Sequence, residues 1–214
     1  VGHLTFREYL ERFGFGAKTN IALPAELAGN MRNLQNIRSD VEFFTAAFGQ
    51  GITVTPLQMI MAYAVLANGG ILYQPQIIER VIHNDGSEEK IMPQVIRRVV
   101  SEETSRTMGE MLRSVVTRGH GKRADVPGYL VGGKTGTAQV AKSNSKGYEE
   151  GLSVGSFVGY APLNSPRFVV FVKIDNPKNV EWAESSAAPT FGRIMKFLLE
   201  YAKIKPTEEV LTKK

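Results

Sequence analysis

The chain has 214 residues, no cysteine, and a net charge of +5 carried by scattered lysines and arginines. With 43% hydrophobic and 22% charged residues it has the composition of one folded unit, which excludes a disordered chain, a disulfide scaffold and a thiolate metal site. The only basic clusters are short, at Arg97-Arg98 and Lys122-Arg123, and no run of about 18 apolar residues occurs, so no nucleic-acid partner, export signal or membrane anchor is expected within it.

In chain order, Thr5 and Glu8 have capping-box spacing and predict a helix to about Phe13, ended by Gly14 and Gly16. Residues 17–40 carry Pro24, Gly29 and several asparagines without a period, so they read as a long loop. Thr55-Pro56-Leu57-Gln58 combines an N-cap, a first-turn proline and an acceptor at the third helical position, and predicts a helix ending at Gly69-Gly70. Residues 71–83 and 88–100 are rich in β-branched side chains around Asn84-Asp85-Gly86-Ser87, the pattern of a peripheral hairpin. Ser101 caps an amphipathic helix that Gly119 closes. Three extended segments follow, at 131–141, 153–161 and 167–175, which fit an antiparallel meander, and residues 187–203 have helical spacing. The expected architecture is α+β, an antiparallel sheet flanked by helices, over residues 1–204, with a polar, frayed tail at 205–214.

The segment Val131 to Ala138 contains Lys134-Thr135-Gly136-Thr137. On an edge strand these residues make a receptor for an extended peptide ending in a carboxylate: free backbone groups pair with the peptide, and a lysine and two hydroxyls meet its anionic end. Strand alternation puts Lys134 and Gly136 on one face and Thr135 and Thr137 on the other. Gly136 removes a side chain where substrate approaches, and an exposed amide just beyond it is placed to donate to a developing oxyanion.

That tetrad also matches one of the three sequence marks of the penicillin-binding proteins and serine β-lactamases. Further motifs occur in the same order as in the C-terminal half of a class B penicillin-binding transpeptidase domain. They are Phe48 to Gln58, Ala67-Asn68-Gly69-Gly70, Pro127-Gly128-Tyr129, Gly159-Tyr160-Ala161-Pro162 and Ala187-Ala188-Pro189. The chain resembles that family over residues 1–204. The resemblance implies a serine D,D-transpeptidase that cross-links peptidoglycan stem peptides ending in D-Ala-D-Ala through an acyl-enzyme, is acylated by β-lactams, and needs no metal or organic cofactor. It implies that Lys134 and Thr137 are catalytic and that Thr135, Gly136 and Thr137 bind substrate. Lys134 would add positive potential and bond the family's Ser-x-Asn loop. The two threonine hydroxyls would hold the substrate carboxylate, and the Thr137 amide would supply half of an oxyanion hole.

The other two family marks are not recognisable. Ser87-Glu88-Glu89-Lys90 and Ser143-Asn144-Ser145-Lys146 have the spacing of the nucleophile motif but lie in polar turns, so both are read as coincidence, and no Ser-x-Asn occurs. The expectation is therefore an incomplete domain, inactive alone, whose nucleophile lies in an upstream segment of the same enzyme. Implied partners are that segment, a glycosyltransferase and other cell-wall assembly proteins, at the extracytoplasmic face of a bacterial membrane. A β-lactamase or β-lactam sensor and an inactive cell-wall scaffold are the alternatives. His3, His83 and His120 lack metal-ligand spacing, although His120, between two glycines, suits a supporting role. Trp182 is expected to cover the sheet edge, with a place at the cleft as the other reading, and the 142–151 loop either orders on substrate or is a plain hairpin connection.

Overall fold

The computed structural model describes residues 1–142, 147–178, 180 and 182–207. Among the described residues five α-helices run over His3–Arg12 (α1), Asp40–Ala47 (α2), Pro56–Ala67 (α3), Glu102–Arg118 (α4) and Ala187–Tyr201 (α5). Seven strands span Ile71–Tyr73 (β1), Arg80–Ile82 (β2), Glu88–Lys90 (β3), Val95–Arg98 (β4), Gly132–Ala141 (β5), Tyr148–Ala161 (β6) and Phe168–Asp175 (β7). The last three form an antiparallel sheet in the order β5-β6-β7. Helix α5 packs on one face of it, and α3 and α4 on the other.

Local chemistry explains most of these elements. Thr55 accepts from the Gln58 amide while Gln58 accepts from the Thr55 amide, the full capping box expected for α3. Ser101 accepts from Thr104 at the start of α4, and the Gly119 amide closes its end on the Val115 carbonyl. The main core lies between sheet and α5. There Phe157 of β6 and Phe191 of α5 are fully buried with ring centroids 4.6 Å apart, and Met195 and Leu199 continue the stripe. Each such side chain contributes about 1.5–3 kcal/mol through burial.

Five expectations change. Helix α1 begins at His3 with Gly2 as its N-cap, and Thr5 is internal. The His3 ring stacks on Phe43 at 4.3 Å and bonds the Ile37 carbonyl, so tertiary contact extends the helix past its local cap signal. Helix α2 has no counterpart among the elements expected from sequence. The two predicted arms do pair antiparallel, but in two separate two-stranded stretches, β2 with β3 beside the turn and β1 with β4 beyond it, in place of one continuous hairpin. Strand β6 begins at Tyr148, paired with Ala141 across a register shift, so it takes in residues 148–151 that were expected in the connecting loop. The tail is described as far as Thr207, whose amide donates to the Gly128 carbonyl at 2.8 Å, so its first residues are pinned to the domain.

Candidate active site

Strand β5 carries the Lys-Thr-Gly-Thr tetrad along the sheet edge, and among the described residues it pairs only with β6. Register places Thr135 opposite Phe157 and Thr137 opposite Gly155, on the α5 face. Lys134 opposes Val158 and Gly136 opposes Ser156, on the face toward α3 and α4. The alternation expected from sequence therefore holds, and edge geometry still brings three of the four together. Lys134, Thr135 and Thr137 line one open cleft of about 500 Å³ with His120, Trp182, Ala183 and Glu184.

The Lys134 ammonium is exposed and bends around the edge, donating to the Thr135 carbonyl at 2.9 Å and lying 3.3 Å from the Thr135 hydroxyl. Among the described residues it forms no ion pair, so its charge faces the cleft unneutralised. Thr137 Oγ1 accepts from the Ala183 amide at 3.4 Å. A Cβ on Gly136 would meet only the Ser156 hydroxyl, at 2.7 Å, so the space over that glycine is otherwise open. Together these groups form a cationic slot with two hydroxyls, suited to a carboxylate at the end of an extended chain.

The turn bearing Trp182, Ala183 and Glu184 forms the opposite wall. Ser185 and Ser186 bond back to the Trp182 carbonyl, and the turn rests on Gly155, where a Cβ would come within 2.8 Å of Ser186 Oγ and 3.3 Å of Ala183 Cα. Trp182 is 59% exposed on the cleft rim, so its ring faces solvent there rather than covering the sheet edge. Sequence reasoning missed Glu184 and the Ala183 amide. Glu184 is 64 positions from the histidine it contacts, and no local spacing reports such a pair.

The remaining candidates lie elsewhere. Ser87 sits in the exposed β2–β3 turn, its hydroxyl donating to Asp85 at 2.6 Å. Ser143 lies outside the described residues. His3 is tied to Phe43 and Ile37, and His83 is 3.8 Å from Glu89. Only His120 reaches the cleft. Among the described residues no group of three or more metal-ligating side chains occurs, and no helix is long and apolar enough to cross a membrane.

The structure is a mixed helix and antiparallel-sheet domain whose edge strand presents a lysine and two threonine hydroxyls to an open cleft. Residues 1–196 match the penicillin binding protein transpeptidase domain, and the chain belongs to that family. It is 41% identical over 210 residues to stage V sporulation protein D of Bacillus subtilis, covering 97% of this chain and 32% of that protein. It is 33% identical over 197 residues to the peptidoglycan D,D-transpeptidase FtsI of Buchnera aphidicola subsp. Schizaphis graminum, covering 91% and 32% respectively. Penicillin binding protein 3 of Mycobacterium tuberculosis in complex with ampicillin superimposes with a TM-score of 0.88 at 34% identity, over 97% of this chain and 48% of that one. The chain thus spans about a third of the length of the curated relatives.

Proposed function

We propose that this chain supplies the substrate-binding edge of a serine D,D-transpeptidase acting on peptidoglycan stem peptides at the extracytoplasmic face of a bacterial membrane. The observation that carries the reading is the convergence of Lys134, Thr135 and Thr137 on one cleft beside a strand edge open to an extended peptide. In this reading a serine contributed by residues outside the chain attacks the carbonyl between the two D-alanines. The C–N bond breaks, terminal D-Ala leaves, and an acyl-serine ester remains until an amine acceptor takes the acyl group. The Thr135 and Thr137 hydroxyls hold the terminal carboxylate. Lys134 stabilises the negative charge that develops, and the Thr137 amide is one of two donors to the oxyanion. β-Lactams enter the same cleft as carboxylate-bearing acyl donors. A glycosyltransferase and other wall-assembly proteins are the proposed macromolecular partners.

The test is the intact mass of the complete protein before and after penicillin, with peptide mapping of the adduct. Acylation outside residues 1–214 supports the reading, and an adduct on Ser87 or Ser143 would overturn the placement of the nucleophile. Lys134→Ala in that protein is expected to slow acylation by about 10²–10³-fold, the scale of losing one preorganised electrostatic group. Unchanged acylation would remove Lys134 from the mechanism. Rapid release of the acyl group would replace the transpeptidase with a β-lactamase.

A further inference from the structure

One polar contact at the cleft has no part in the chemistry above. His120 Nδ1 and Glu184 Oε2 lie 2.9 Å apart, joining the glycine-flanked turn after α4 to the turn before α5. The imidazole is 81% exposed, and an exposed pair contributes little to stability. Its position gives it another consequence. Glu184 follows Ala183, which is 1% exposed and whose amide donates to Thr137 Oγ1. The same turn is seated on the bare backbone of Gly155, directly across β5 and β6 from Thr137. A hydroxyl that accepts from a backbone amide must direct its own proton elsewhere. For Thr137 the open direction is the cleft.

Resting on the function proposed above, we infer that His120 and Glu184 are positioning residues. Their contact latches the Trp182 to Ser186 turn against β5, keeps the Ala183 amide on Thr137 Oγ1, and so presents the Thr137 hydroxyl as a donor to the substrate carboxylate. The latch acts on binding, because the carboxylate is held alike before and during acylation. It joins residues on two separate turns, so removing either member releases the same constraint.

The experiment follows acylation of the complete enzyme by benzylpenicillin over a range of concentrations. The variants are His120→Ala, Glu184→Ala, the double variant and Glu184→Gln. Each alanine variant is expected to raise the half-saturating concentration about 3–10-fold, on the scale of one ordinary hydrogen bond. The limiting acylation rate should stay within about twofold, because the lost interaction is uniform binding. The double variant should be no worse than either single one, the signature of a shared constraint. Glu184→Gln keeps an acceptor for the imidazole and should lie near wild type. Melting temperatures should move by no more than about 2–4 °C, as for an exposed pair. Wild-type half-saturation in both alanine variants, additive losses, or a Glu184→Gln defect equal to that of Glu184→Ala would each overturn the latch. A wild-type enzyme that penicillin does not acylate would instead refute the proposed function, and the latch with it.

Discussion

Gln58 shows how much one side chain can organise. It is 1% exposed, and besides closing the α3 capping box it donates from Nε2 to the carbonyls of Ala17 and Ala28 at 2.7 and 2.8 Å. The long loop before α3 has little regular structure to satisfy its own backbone, and Gln58 does so from the neighbouring helix. Gly29 is needed at the same point, because a Cβ there would lie 2.4 Å from the Thr53 carbonyl oxygen. Gln58→Ala would strand two carbonyls and the Thr55 amide, a loss of about 2–4 kcal/mol on the scale of buried unsatisfied groups. Urea denaturation checks this, and wild-type stability in the variant would show that the carbonyls find other partners. The sequence disclosed only the capping half of this residue. Its other half depends on a loop some 30 to 41 positions away, and a side-chain amide carries no mark of its distant acceptors.

Two glycines of β5 separate folding from function at the scale of an element. A Cβ on Gly133 would lie 2.4 Å from Cε1 of the fully buried Phe157 ring and 2.7 Å from the Val158 carbonyl oxygen. Gly133→Ala is therefore expected to destabilise by about 3 kcal/mol or more, since the strand must move or the core repack. Gly136→Ala meets only the Ser156 hydroxyl, which can rotate away, so its cost should be about 1 kcal/mol or less. Thermal denaturation of the two variants checks the contrast, and equal losses would refute it. The elements that sequence revealed share this dependence on near neighbours. Helices α3 and α4 announce themselves by caps, and α5 and the meander by their period. Helix α2 does not, because Val41, Phe44 and Phe48 are exposed while Phe43 and Ala46 face the core, so apolar residues cover both sides and blur the period. The motif strand and its alternation were legible in the same local way. The opposite wall of the cleft was not, because it comes from a turn some 46 residues further on.

For the molecule as a whole, the sheet divides the interior into unlike halves. The core beneath α5 is built of apolar side chains, with Phe157, Phe191, Met195 and Leu199 fully buried. The opposite face carries two phenols, Tyr160 of β6, 2% exposed and close against Gly109 of α4, and the half-buried Tyr63 of α3. Burial raises the pKa of each from 10.0 to about 12, and for Tyr63 repulsion from the Tyr160 phenolate adds to it. Below pH 10 both rings are neutral in the folded and unfolded chains alike, and the stabilisation is fully present. Between pH 10 and about 12 the unfolded chain releases these protons while the folded one retains them, so rising pH favours unfolding. The two-unit displacement corresponds to about 2–3 kcal/mol for a single phenol, and the mutual repulsion means the two do not simply add. The urea midpoint should therefore fall between pH 9.5 and pH 11.5, values chosen about half a unit outside and inside the titration window. Tyr160→Phe should reduce that fall, because it removes one of the protons and the repulsion acting on Tyr63. An identical alkaline loss in Tyr160→Phe, Tyr63→Phe and wild type would assign it to other groups and refute the linkage between the helix layer and the sheet.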